Sequence, residues 1–253
     1  MRKALILTTI AGAVALAGCK TMDSGNIGSM MDTGSTAMKA MTLSDADVVT
    51  LSNESCEAMD AANKIAPANS KYTQRLNKVI ANMPKDVDGK KAVYKVYMTS
   101  DVNAWAMANG CIRVYSGLMD LMNDDELRGV IGHEIGHVAL GHSKKRMQTA
   151  YATSALRQAA ANSSGALGSL SRSEAGAVGE KFIHAQFSQS NESEADNYSF
   201  DLLTKQKMER KGLVTAFQKL AKLGGGGGNS LMSSHPPSEE RAKAMQARLD
   251  GKK

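Results

Sequence analysis

Residues 133–137 read His133-Glu134-Ile135-Gly136-His137, and this stretch decides how the rest of the chain is read. On a helix of 3.6 residues per turn, side chains four apart lie one above the other on a single face. His133 and His137 can therefore grip one metal ion, with Glu134 beside them within reach of a water at that ion. Five residues of this kind also arise by chance. Their meaning depends on what surrounds them.

Immediately upstream, Asp124, Asp125 and Glu126 place negative charge where a helix would begin, opposing the macrodipole. We expect helical segments over 118–122 and 124–142. Farther back, residues 93–98 alternate and are rich in β-formers, which predicts a strand. Residues 104–107 and 111–115 flank Asn109-Gly110, a strong hairpin signal. Asn103, Ala104, Trp105 and Ala106 would then form a strand that is either an edge offered to an extended peptide or an ordinary internal strand. Further helices are expected over 44–64, 72–82, 191–206 and 238–249. Residues 150–182, rich in Ala, Ser and Gly, read as loosely packed helices or as a mobile cover over a cleft. The run Gly224 to Gly228 reads as a flexible loop. About 210 ordered residues suffice for one substantial core, so residues 43–253 are expected to form one catalytic domain.

The chain opens with a targeting segment, residues 1–18. Arg2 and Lys3 precede an apolar run over 4–17 that is short for a bilayer span. Leu16-Ala17-Gly18-Cys19 resembles a bacterial lipobox, which implies lipidation at Cys19 after cleavage. Lys20 follows, not an aspartate, and the resemblance to sorted lipoproteins then implies the outer membrane with the domain facing the periplasm. Two or three acyl chains suffice for stable anchoring. Residues 19–42, rich in Ser, Gly, Met, Thr and Asp, would be a flexible tether. Removing Arg2 and Lys3 lowers the formal charge from +6 to +4. That mild excess, with no basic run interleaved with aromatics, gives no support to nucleic-acid binding. Cys56 and Cys111 remain, and in an oxidising periplasm such a pair is expected to be bridged, the alternative being two separate buried thiols.

Two histidines leave a catalytic zinc short of one protein ligand. His142 is the near candidate, but the longer metzincin pattern needs glycine at 140 and histidine at 143, where Leu140 and Ser143 stand. On a continuing helix His142 is also rotated off the ligand face, so a structural or surface role is expected. Glu192 and Asp196, four apart in Asn191-Glu192-Ser193-Glu194-Ala195-Asp196, are better placed. One carboxylate can bind the metal while the other accepts the free N–H of a ligand histidine.

At this point the residues resemble the HtpX-like and CAAX-prenyl-protease-like family of gluzincin peptidases, whose characteristic pair is H-E-x-x-H followed by E-x-x-A-D. The stretches around Asn103 to Met107 and Gly110 to Leu118 resemble its hairpin before the metal helix, and His235-Pro236-Pro237 with Arg241 its His-Pro segment. The likeness covers roughly residues 45–250. It implies an α+β, mainly helical gluzincin-type domain with a small sheet and hairpin beside the metal helix. It further implies one zinc ion held by His133, His137 and Glu192, with Glu134 as general base and Asp196 supporting a histidine. His235 would donate to the oxyanion, act as a temporary fourth ligand in a latent state, or merely shape a turn. No transmembrane helices follow the signal segment, so membrane-embedded cleavage and prenylated substrates are not implied. The expected activity is that of a lipid-anchored zinc metalloendopeptidase acting on unfolded or misassembled envelope proteins, alongside other periplasmic proteases or chaperones. The competing reading is a chaperone-like assembly factor using the same cleft, although holding a client requires no general base such as Glu134.

Overall fold

The computed structural model describes residues 43–160, 171–223, 231–235 and 239–252. The targeting segment, Cys19, the tether, the five-glycine run and Pro236-Pro237 lie outside the described residues. The helices are Asp45–Ala62 (α1), Lys71–Val79 (α2), Ser116–Leu121 (α3), Asp124–Ala139 (α4), His142–Ala160 (α5), Arg172–His184 (α6), Gln189–Lys205 (α7), Lys211–Leu223 (α8), Leu231–Ser234 (α9) and Glu239–Leu249 (α10). Strands Asp86–Val87 (β1) and Lys90–Lys91 (β2) pair as a small ribbon. Val93–Tyr97 (β3), Ala104–Ala106 (β4) and Cys111–Tyr115 (β5) form a three-stranded sheet of order β3-β5-β4. The chain is thus mainly helical with small sheets. Among the described residues, no helix is long and apolar enough to cross a membrane.

Helix α4 starts where its sequence says it should. The Asn123 side chain accepts from the backbone N–H groups of Asp125 and Glu126, while Glu126 reaches back to the Asn123 N–H, a reciprocal capping box. Leu127, Ile131 and Ile135 are fully buried, each worth roughly 1.5–3 kcal/mol of transfer free energy. Gly132 and Gly136 let α7 approach closely. A Cβ on Gly132 would stand 2.6 Å from Ser199 Oγ, and one on Gly136 would stand 3.1 Å from Ala195 Cα. Ser199 Oγ also donates to the Gly129 carbonyl at 2.9 Å. This close approach brings the carboxylates of α7 over the histidines of α4.

The expected helix over 124–142 is two helices. It stops at Ala139, and Gly141 adopts a φ of +74° before His142 opens α5. A left-handed residue just past a helix end is a position that glycine fills without a Cβ penalty. Helix α8 was not among the expected elements; it buries Gly212, Leu213, Val214, Ala216 and Leu220. The hairpin forms as expected, β4 antiparallel to β5 with Gly110 at φ +83° in the turn, while β3 adds in parallel on the other side of β5. Cys56 and Cys111 are bridged, tying α1 to β5. Beside the bridge, buried Arg113 donates to both carboxylate oxygens of Asp60, at 2.8 and 2.9 Å.

Candidate metal centre

Four buried side chains from three separate parts of the chain converge on one point. His133 and His137 come from α4, Glu192 from the first turn of α7, and His235 from the residue after α9. Their nearest ligand atoms all lie within 4.8 Å of one another. His133 Nε2 is 3.0 Å from His137 Nε2 and 3.2 Å from His235 Nδ1. Glu192 Oε1 is 3.3 Å from His137 Nε2 and 3.0 Å from His235 Nδ1. Four ligands placed tetrahedrally at zinc–nitrogen and zinc–oxygen bond lengths stand about 3.3 Å apart. Three imidazoles and a carboxylate at these separations fit a zinc-sized cation.

The electrostatics favour a cation too. Glu134, Glu192 and Asp196 are each nearly inaccessible, with the guanidinium groups of Arg241 and Arg146 and the ring histidines set against them. Burial alone would raise the Glu192 carboxyl, but the charges of His235 and His133 hold it well below the usual carboxylate range. Burial pushes His137 well below the ordinary histidine value, which keeps it neutral as ligation requires. Burial would lower His133 as well, yet the Glu192 and Asp196 carboxylates outweigh it and raise that ring. The same negative field is what a divalent ion would meet.

Behind each ligand stands a supporting group. Asp196 Oδ1 lies 2.8 Å from His133 Nδ1. Arg241 in turn donates to Asp196 from Nε at 2.7 Å and from Nη2 at 2.6 Å, and its Nη1 stands 2.5 Å from Glu192 Oε2. On the other side, His137 Nδ1 is 3.1 Å from His142 Nδ1. Phe187 stacks on the His137 ring with centroids 3.7 Å apart and planes 12° from parallel, and Arg146 packs over the far side of Phe187. Glu134 points into the same space. Burial raises its carboxyl, and its Oε1 is 3.5 Å from His235 Nε2, both atoms buried and without a hydrogen-bond partner among the described residues. Two buried polar atoms without partners call for one from outside the described residues, such as a water or a substrate group.

Asn103, Ala104, Trp105 and Ala106 are not part of the cluster. Strand β4 lies at the edge of its sheet, but all three of its residues are buried. Asn103 and Met107 bond to β5, so Ala104 and Ala106 turn their backbone groups outward. There the Ala104 N–H donates to Asn103 Oδ1, the Ala106 carbonyl accepts from Ser143 Oγ, and the Val102 carbonyl accepts from the Leu231 N–H. Those three edge groups are already engaged.

His142 stands outside the ligand cluster, and of the structural and surface roles expected for it the buried, structural one is found. The expectation rested on one continuous helix, and the turn at Gly141 removes that premise. His142 is buried, not on the surface, and reaches the metal cluster through His137. Glycine three residues before Lys144 in an otherwise helical run was the available signal. Phe187, Arg146 and Glu194 had no signal in the sequence beyond their residue types.

A buried His-His-Glu set with a carboxylate beside it, carried on two closely packed helices, defines a metalloprotease. The chain belongs to peptidase family M48, whose family model matches residues 67–249. Among characterised proteins it is 50% identical to the metalloprotease LoiP of Escherichia coli over 98% of both chains. It is 48% identical to the E. coli metalloprotease YcaL, over 97% of this chain and 96% of that one. Similarity to protease HtpX of Shewanella baltica is confined to 26% of this chain and 24% of that one, at 36% identity.

Proposed function

We propose that this metalloprotease is a zinc endopeptidase of the bacterial envelope, lipid-anchored through Cys19, that cleaves unfolded or misassembled periplasmic and outer-membrane proteins. The observation that carries the chemistry is the convergence of His133, His137 and Glu192, with the Glu134 carboxylate beside His235 in the same buried cluster. The three ligands would hold the ion, and when bound it supplies Lewis acidity that acidifies water and polarises a carbonyl. Glu134, raised by burial and held beside the ligands, takes the proton from an attacking water and passes it to the departing amine. Asp196 and Arg241 keep His133 and Glu192 in place while this proton moves.

The envelope assignment is supported by the lipobox at Cys19, by the Cys56–Cys111 bridge and by the near full-length likeness to LoiP and YcaL. His235 stands at the fourth corner of the ligand set, and the segment that carries it bonds to the Val102 carbonyl beside β4. Both contacts support a latent state in which His235 completes the metal shell and a peptide must displace its segment to add to the edge strand.

Zinc-loaded native protein, Glu134→Gln and His235→Ala, compared on an unfolded protein substrate, test this reading. Loss of the general base should lower the cleavage rate by roughly 10²–10⁴-fold, and His235→Ala should raise basal cleavage. Equal cleavage by native protein and Glu134→Gln would sink the mechanism. Binding of the substrate without cleavage, even by His235→Ala, would favour an assembly factor.

A further inference from the structure

Beyond the metal set lies a row of polar side chains that the peptidase chemistry does not use. His137 Nδ1 faces His142 Nδ1 at 3.1 Å, His142 Nε2 faces Glu194 Oε2 at 3.1 Å, and Ser190 Oγ donates to Glu194 Oε1 at 2.7 Å. His142 is only 8% exposed, whereas the Glu194 side chain is 53% exposed. The row therefore runs from the metal centre to solvent, crossing from α4 to the first residue of α5 and on to α7.

Two imidazole nitrogens at hydrogen-bond distance need one proton between them, and the metal site says which ring carries it. His137 Nε2 belongs to the ligand set, so it must be free of hydrogen to bind a cation, and the ring's single proton sits on Nδ1. His137 Nδ1–H then donates to His142 Nδ1, which must be bare. The His142 proton is left on Nε2, where it meets the Glu194 carboxylate, an acceptor only. Every step allows one arrangement. A second observation bears on the same ring: Phe187, stacked on His137, restricts its plane, and in that plane Nε2 faces the cluster while Nδ1 faces His142.

We propose that His142 is a positioning residue for the metal centre, holding His137 in its metal-binding tautomer, with Glu194 setting the tautomer of His142 from the protein surface. The assignment rests on the metallopeptidase reading above and adds to it a second support for the ligand set, besides that from Asp196. Gly141 is what makes it possible. Its left-handed turn ends α4 and swings His142 back over His137; along an unbroken helix the two rings would diverge.

The experiment reads tautomers directly. The chain has five histidines, few enough for each ring to be resolved by nitrogen-15 NMR of the full-length zinc-loaded protein with no substrate present. We expect His137 protonated on Nδ1 and His142 neutral and protonated on Nε2. In parallel, zinc affinity is measured by chelator competition for native protein, His142→Leu and His142→Asn, with folding checked by circular dichroism. Leucine fills space without an acceptor and should weaken zinc binding roughly 10–100-fold. Asparagine places an oxygen near the lost Nδ1 and should recover most of that loss. His142 protonated on Nδ1, or a folded His142→Leu that binds zinc as tightly as native protein, overturns the proposal. Native protein that binds no zinc at all would instead defeat the metallopeptidase reading itself. If His142→Leu does not fold, the tautomers of the native protein still decide.

Discussion

The two ligand histidines of α4 are backed in opposite ways. His133 leans on Asp196, which is 1% exposed and clasped by two hydrogen bonds from Arg241. His137 leans on His142, and through it on a glutamate that is half in water. The role is the same in both arms, fixing a ring nitrogen so that the other faces the metal. The stakes differ with depth. A carboxylate buried beside a guanidinium cannot lose its partner without stranding a charge in low dielectric. An exposed carboxylate can be replaced by water at little cost. The protein therefore concentrates electrostatic commitment on the α7–α10 side of the site and leaves the α5 side lightly held.

The strongest way to break this contrast is to remove the guanidinium. Arg241→Met keeps much of the packing over Phe217, where the guanidinium carbon sits 4.6 Å from the ring centre, but leaves Asp196 and Glu192 buried without it. The metal-free variant should lose about 3–5 kcal/mol in urea unfolding. Excess zinc should restore part of that, because a bound cation again balances the carboxylates and binds only the folded state. A loss well under 1 kcal/mol would mean that the deep arm is no more committed than the shallow one.

Acid sharpens the comparison, provided a half-buried carboxylate away from the metal centre is accounted for. Asp60 sits between Arg113, Lys95 and Tyr97, beside the disulfide and away from the metal centre. Burial would raise its carboxyl, but the hydrogen bonds from Arg113 and Lys95 outweigh that and lower it. A group whose folded value is depressed contributes stability that is fully present above its unfolded value, near 3.9, and is lost as the pH falls through the folded one. Asp60→Asn should cost about 2 kcal/mol at pH 7, since buried Arg113 loses a charged acceptor, and should flatten the fall of Tm between neutral pH and pH 3. If the curves of native and variant protein run parallel, the acid sensitivity belongs elsewhere, with Asp196 the next carboxylate to examine.

How much of this was legible beforehand depended on how local each signal was. The His133–His137 spacing, the hairpin at Asn109-Gly110 and the acidic start of α4 are local, and the structure places them as read. Glu192 and Asp196 were legible through their spacing and through family resemblance, although nothing local says that α7 lies on α4. The glycines at 132 and 136 carry that information, but a small residue reveals a close approach only once its neighbour is known. The Glu194–His142 arm was not legible. It depends on a single left-handed residue, Gly141, whose effect is to redirect everything after it. Helix α8, absent from the expected elements, does carry a local signal: Leu213, Val214, Ala216, Phe217 and Leu220 share one helical face, packed between α4 and α10.

The smallest expected effect is the one that probes the shallow arm alone. Glu194→Ala removes the acceptor that orders His142, yet Glu194 is half exposed and water can accept the same proton. Zinc affinity, read by chelator competition, should fall by less than about fivefold. Asp196→Ala, read the same way, should cost roughly 10–100-fold, because the His133 nitrogen it leaves is sealed from water. Equal losses from the two variants would mean that water does not substitute for Glu194, and that depth is not what separates the two arms.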